Sequence, residues 1–239
     1  MLANHTLLFL HIPKTGGTSL RAALVQCFEE AETCLVYPSG KGHISREAFI
    51  EMPEDERAKF RLVCGHFSFG FHRRVPGPVR YITMARHPLE RVRSLYFHHY
   101  DRPQEQHHQA TQGMTIGEFA LSGLEPQTDN GMTRLLSGMK AEFGHCNADM
   151  LERALDNMRN HFLVVGTTER YQESASLLQK RLWLPLLEVG HFNSRKSPKR
   201  PIDNTMTKTI LELNEFDLNL FHAVDNALGP EFPGENYSA

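Results

Sequence analysis

The stretch that most constrains this chain is LLFLHIPKTGGTSLRAAL, residues 7–24. A short apolar run over 7–12 is followed by Pro13-Lys14-Thr15-Gly16-Gly17-Thr18-Ser19, then by apolar residues at Leu20, Ala23 and Leu24. That order predicts a strand, a glycine-bearing loop and a helix from Thr18 to about residue 30. Such a junction aims backbone N–H groups and the positive end of a helix dipole at one spot, which suits a phosphate or similar anion. Lys14 adds a full charge, and Thr15, Thr18 and Ser19 add hydroxyls. The plain alternative is a tight strand-to-helix turn with a solvated lysine.

The loop is not a Walker nucleotide loop. That motif places lysine after its second glycine, whereas Lys14 precedes both Gly16 and Gly17. The rest of the chain alternates apolar runs with helical patterns. Runs at 35–38, 61–65, 79–85 and 162–166 read as further strands. Helices are expected from Ser45 as N-cap, from Pro88 as a first-turn proline, over 115–121, 128–136 and 148–160, from about 171 to 182, and over 204–213 and 215–228. Residues 98–112, with His98, His99, His107 and His108, read as a polar loop with no core face. Strands alternating with helices imply an α/β fold of three layers: a central, mostly parallel sheet flanked by helices, P-loop-like in type. We expect one domain over 1–239, with its core at about 5–229 and a tail over 230–239.

With 239 residues and a formal net charge of −2, nothing global favours nucleic acid or a membrane surface. Any anion site must be a local cluster. The four cysteines, Cys27, Cys34, Cys64 and Cys146, form no CxxC pair. They read as thiols in a reducing, cytoplasmic setting. The opening residues carry neither a secretory leader pattern nor a membrane span.

Taken together, these segments resemble the sulfotransferases that use 3′-phosphoadenosine 5′-phosphosulfate (PAPS), with the greatest likeness to the carbohydrate, heparan sulfate 2-O-sulfotransferase-like branch in a short form. In that family a loop after the first strand holds the 5′-phosphosulfate, here Pro13 to Ser19. A second motif, Arg-x-Pro followed by Arg and Ser on the next helix, holds the 3′-phosphate; here it is Arg86-His87-Pro88-Leu89-Glu90-Arg91-Val92-Arg93-Ser94. Gly65-His66 matches the strand end where the heparan enzymes carry a catalytic histidine, although Cys64 stands where they often have a second one. Weaker likenesses are Asp129-Asn130 with Leu136-Ser137-Gly138, Val165 to Arg170, and Asn193-Ser194-Arg195-Lys196. The likeness spans residues 7 to about 200.

The resemblance implies a sulfotransferase with PAPS as donor, adenosine 3′,5′-bisphosphate (PAP) as product, no metal, and a hydroxylated acceptor such as a glycan, glycolipid or small metabolite. His66 would be the base and Lys14 the group that neutralises the leaving oxygen. Pro13, Lys14, Thr15, Gly16, Gly17, Thr18, Ser19, Arg86, Ser94, Arg195 and Lys196 would hold the donor. Taken singly, Arg86 could be a structural ion-pair partner, Ser94 a surface serine, and His66 a hydrogen-bonded core histidine. Arg195, Lys196, Lys199 and Arg200 could close over the 3′-phosphate, steer an anionic acceptor, or simply be solvated. The four histidines of 98–108 lack zinc spacing and read as an acceptor-side loop or plain surface. Phe67, Phe69 and Phe71 could contact a sugar ring or line the core. The competing functions are a P-loop-like kinase using ATP and magnesium, and a non-catalytic nucleotide-binding module.

Overall fold

The computed structural model describes residues 5–182 and 202–228. Its elements are β1 (Thr6–Leu10), α1 (Gly17–Val25), β2 (Thr33–Val36), α2 (Arg46–Glu51), α3 (Glu54–Arg57), β3 (Leu62–Gly65), β4 (Val79–Ala85), α4 (Pro88–Tyr100), α5 (His108–Gln112), α6 (Ile116–Leu121), α7 (Gly131–Ser137), α8 (Ala148–His161), β5 (Phe162–Thr167), α9 (Tyr171–Leu182), α10 (Asn204–Leu213) and α11 (Glu215–Ala227). The strands form one sheet in the order β2-β3-β1-β4-β5, and every pairing is parallel. Such strands are buried on both faces, which is why they read as continuous apolar runs. β1 is central, with β3 on one side and β4 on the other. The loop after β1 therefore opens where the sheet's connections diverge, the place where open α/β sheets bind ligands.

Alternate strand residues feed two cores. Leu7, Phe9, Leu62, Cys64, Ile82 and Val164 pack with Leu20 and Leu24 of α1 and Leu178 and Leu182 of α9. Leu8, Leu10, Val63, Ala85 and Val165 face the other way, against Phe49 of α2, Met132 and Leu136 of α7, Ala154 and Met158 of α8, and Leu220 and Val224 of α11. Three layers result. Phe67 and Phe71 stack at 4.3 Å inside the second core, and Phe69 packs against it, so this trio is wall rather than sugar platform. A third cluster joins Val92 and Leu95 of α4, Ile116 and Phe119 of α6 and Ile210 of α10.

A buried polar knot anchors that third cluster. Arg91 and Asp217 are fully buried and approach to 3.5 Å. Asp217 also accepts the backbone N–H groups of Met132 at 3.0 Å and Thr133 at 2.7 Å, at the start of α7. Asn130 and Asn214 complete the knot, with the Asn130 backbone N–H donating to Asn214 Oδ1 at 3.0 Å. Asp129 pairs with Arg134. Asp129-Asn130 is thus a structural joint. Asp217→Ala is expected to lower unfolding free energy by about 3–5 kcal/mol, because it strands a buried arginine; urea denaturation measures this.

Two expectations need correction. α1 ends at Val25 rather than near residue 30, and Glu30–Glu32 is a separate 3-10 turn. Glu29, Glu30 and Glu32 would otherwise stand at the negative end of the helix dipole. Residues 98–112 are not a featureless loop either: α4 runs to Tyr100, α5 occupies His108–Gln112, and His99 and Thr111 are buried. The expected tail over 230–239 lies outside the described residues.

Candidate active site

The loop after β1 turns through two left-handed residues, Lys14 at φ 70° and Gly16 at φ 74°. For lysine that backbone region is uncommon and strained. Gly16 caps α1 without a side-chain bond; the Ser19 N–H donates to Gly16 O at 3.2 Å, while the Gly17 and Thr18 N–H groups stay open among the described residues. Thr18 and Ser19 are half-buried, and their hydroxyls have no partner among the described residues. Thr15 differs: it is fully buried and its hydroxyl donates to Ile12 O at 2.8 Å. Of Thr15, only backbone can face a ligand. Thr168 donates its hydroxyl to Thr15 O at 2.8 Å, with Ala85 O at 3.1 Å, tying the loop to the ends of β4 and β5.

Gly17 is required by close approach. A Cβ there would stand 2.3 Å from His11 Cδ2 and 2.5 Å from His11 Nε2. Gly17→Ala is expected to cost about 1–3 kcal/mol of stability through overpacking, read as a lower thermal midpoint, and to weaken anion binding at the same loop.

Arg86, at the end of β4, reaches the loop directly. Its Nη1 donates to Lys14 O at 3.0 Å, and its Nη2 lies 3.8 Å from Glu90. Its Nε is buried without a hydrogen-bond partner. Burial lowers the Arg86 pKa, against Glu169 and Glu90. Lys14 is pushed down to about 8, by burial first and then by Arg102 and Arg86, with Glu105 opposing. The segment after α4 thus comes over the loop, with His98 Nε2 3.3 Å from Glu105. Burial and Lys14 together lower His98. Ser94 lies on α4 one turn from Glu90 and one from His98, on the helix face that passes from Arg86 to Lys14.

These features fit an anionic ligand. Lys14 is crowded by Arg86 and Arg102, the Arg86 Nε–H has no hydrogen-bond partner, and no side chain caps the start of α1.

β3 ends at Gly65, where a Cβ would meet Val36 O at 2.4 Å. His66 follows, exposed at one edge, with Nδ1 2.7 Å from His11 O. A carbonyl only accepts, so Nδ1 carries the proton and Nε2 keeps its lone pair. Burial lowers the His66 pKa, as do Arg21, Lys14 and His43, while the His11 carbonyl opposes them. A neutral ring with a bare Nε2 is a competent base near neutrality. Lys14 bears on His11 as well as on His66, so lysine and histidines share one cleft.

Three neighbours escape inspection of the sequence. His11 lies 4.6 Å from His66 ring to ring, Tyr37 lies 4.7 Å from it, and the Arg21 guanidinium carbon sits 4.9 Å above the Tyr37 ring. The first two follow from parallel pairing, since His11, His66 and Tyr37 directly succeed the paired residues Leu10, Gly65 and Val36, while Arg21 comes from α1. Cys64 is buried with its thiol pKa pushed up, so it stays a protonated thiol. The second histidine beside His66 comes from β1 instead.

Arg195, Lys196, Lys199, Arg200 and the Asn193-Ser194 pair lie outside the described residues. His99 faces Glu125 at 3.6 Å, and His108 Nδ1 lies 3.0 Å from His99 O. Among the described residues, no three His, Cys, Asp or Glu side chains gather to hold a metal ion.

A family model described as "Sulfotransferase family" matches residues 1–222. The chain belongs to the sulfotransferase family. No curated protein matches this family member. Among solved structures it is similar to the mouse sulfotransferase SULT7A1 complexed with PAP, at 14% identity and a TM-score of 0.40, over 87% of this chain and 64% of that one. It therefore spans less than two thirds of that structure's length. No helix among the described residues is long and apolar enough to cross a membrane.

Proposed function

We propose that the chain transfers a sulfuryl group from PAPS to an acceptor hydroxyl on a carbohydrate or glycoconjugate. The observation that supports this reading is the hydrogen bond from Arg86 Nη1 to Lys14 O, which brings the end of β4 against the loop after β1. Family membership sets the chemistry class. Two anionic ends of one nucleotide need two separate grips. The loop Pro13–Ser19, through the backbone N–H groups that follow Pro13 and the side chains of Lys14, Thr18 and Ser19, would hold the 5′-phosphosulfate. Arg86 and Ser94 would hold the 3′-phosphate, helped by Arg195 and Lys196. When bound, PAPS supplies the activated sulfuryl group.

His66 Nε2 takes the proton of the acceptor hydroxyl as its oxygen attacks sulfur in line. Lys14 Nζ stands against the negative charge that grows on the leaving phosphate oxygen. Lys14 and Arg86 meet the charge without a magnesium ion, so PAP should bind equally with and without that metal. His43, half-buried with its ring 4.9 Å from that of buried Tyr37, offers a polar ring edge to a hydroxyl-rich acceptor. We read 1–239 as one domain and place it in the cytoplasm, which its four free cysteines favour. A radiolabelled-sulfate transfer screen over sugars, glycolipids, phenols and small hydroxylated metabolites tests the reading. Label should reach a carbohydrate-bearing acceptor; transfer to phenols alone would overturn the acceptor class.

A further inference from the structure

His11 is the most enclosed ionisable group in the cleft, and the proposed chemistry leaves its side chain without a task. The residue is 6% exposed. Its ring stacks on Phe9 at 5.2 Å and tilts against His66 at 4.6 Å. Its carbonyl receives the Nδ1 proton of His66 at 2.7 Å. Its own Nδ1 lies 2.9 Å from the Tyr37 hydroxyl. The Arg21 guanidinium carbon sits 4.9 Å over the Tyr37 ring, and its positive charge makes the phenol the stronger donor. The phenol therefore turns its proton toward His11 Nδ1. The imidazole of His11 is held neutral, by burial first and then by His66, Arg21 and Lys14. A neutral imidazole accepting at Nδ1 carries its proton on Nε2. His11 Nε2 has no partner among the described residues and, unlike Arg86 Nε, is not sealed from solvent. It faces the first residue of α1, lying 2.5 Å from where a Gly17 Cβ would be. No side chain caps the helix at that point.

We propose that the chain Arg21–Tyr37–His11 sets opposite tautomers on two touching histidines, leaving His66 Nε2 bare as base while turning the His11 Nε2–H into an extra donor for the anion at the start of α1. The assignment rests on the sulfotransferase reading for the identity of that anion. His11 then binds through its side chain and positions His66 through its carbonyl. Its donor is neutral, so it adds a hydrogen bond to the cradle without adding to the repulsion around Lys14. Tyr37 and Arg21 are positioning residues, acting on the anion through His11.

Nitrogen-15 long-range correlation spectra of the full chain, with PAP as the probe and calorimetry alongside, test this. Expected are an Nε2–H tautomer for His11, an Nδ1–H tautomer for His66, and a shift of the His11 Nε2 resonance on adding PAP. His11→Phe, which keeps an aromatic ring on Phe9, should bind PAP on the order of tenfold more weakly, and His11→Gln should restore most of that loss. Tyr37→Phe should leave His11 as a tautomer mixture; this variant decides the matter if His11→Phe fails to fold. An Nδ1–H tautomer for His11 in the unsubstituted protein, or undiminished PAP binding by His11→Phe, would overturn the proposal while leaving the sulfotransferase reading in place. Failure of the unsubstituted protein to bind PAP would remove that reading and this proposal together.

Discussion

His66→Ala is expected to lower sulfuryl transfer by about 10²–10⁴-fold while PAP affinity stays within about twofold. The split follows from placement. His66 hangs from the end of β3, with Nδ1 committed to His11 O and Nε2 free, and it makes no hydrogen bond to the loop over 13–19 among the described residues. Removing it takes away a proton acceptor and leaves the anion grips intact. Its lowered pKa gives the sign of the acid limb. As pH falls through a value below the ordinary histidine range, Nε2 takes a proton and transfer falls; above it the base is neutral and the rate levels off. Initial rates and calorimetry on the same preparations check both halves. Unchanged transfer by His66→Ala would remove the histidine from the chemistry.

Lys14→Ala is expected to lower transfer by about 10²–10³-fold, the usual effect of removing one preorganised group that stabilises developing charge, and to weaken PAP binding as well. Lys14 differs from His66 in touching both events. In the proposed mechanism it belongs to the loop that grips the anion and also neutralises the leaving oxygen. Because burial and the charges of Arg102 and Arg86 hold its pKa at about 8, the free protein loses this charge as pH rises through that value. PAP affinity should therefore fall on the alkaline side of pH 8, and a bound anion should raise the lysine's pKa. Lys14→Arg is no conservative change: the wider guanidinium would be set on a backbone already at φ 70° beside Arg86. A pH titration of PAP affinity, flat from pH 7 to about pH 10, would contradict this role.

Much of the fold was legible because the parallel strands are buried on both faces. Val79–Ala85 stands in the structure with the bounds its apolar run suggests. The turn between β1 and α1 was legible too, since two glycines soon after an apolar run mark a strand's end. Residues 98–112 were misread because His99 and Thr111 are polar by type but buried by tertiary packing, which periodicity cannot register. The side chain of Thr15 was credited with a ligand role that its bond to Ile12 O rules out. His11, Tyr37 and Arg21 were missed for a topological reason. They approach His66 only because the sheet runs β2-β3-β1, an order that no local pattern specifies. The histidine directly before Ile12-Pro13-Lys14, at the end of a buried strand, was the available signal.

The central claim is that Lys14 and Arg86 grip opposite ends of one adenine nucleotide. Magnesium-free calorimetry of PAP beside adenosine 5′-phosphate, on the unsubstituted protein and on Arg86→Ala, tests it most directly. PAP should bind more tightly than adenosine 5′-phosphate, and Arg86→Ala should bring PAP down to the level of the monophosphate without altering the latter. An Arg86→Ala variant that weakens both nucleotides equally, or neither, would contradict the account.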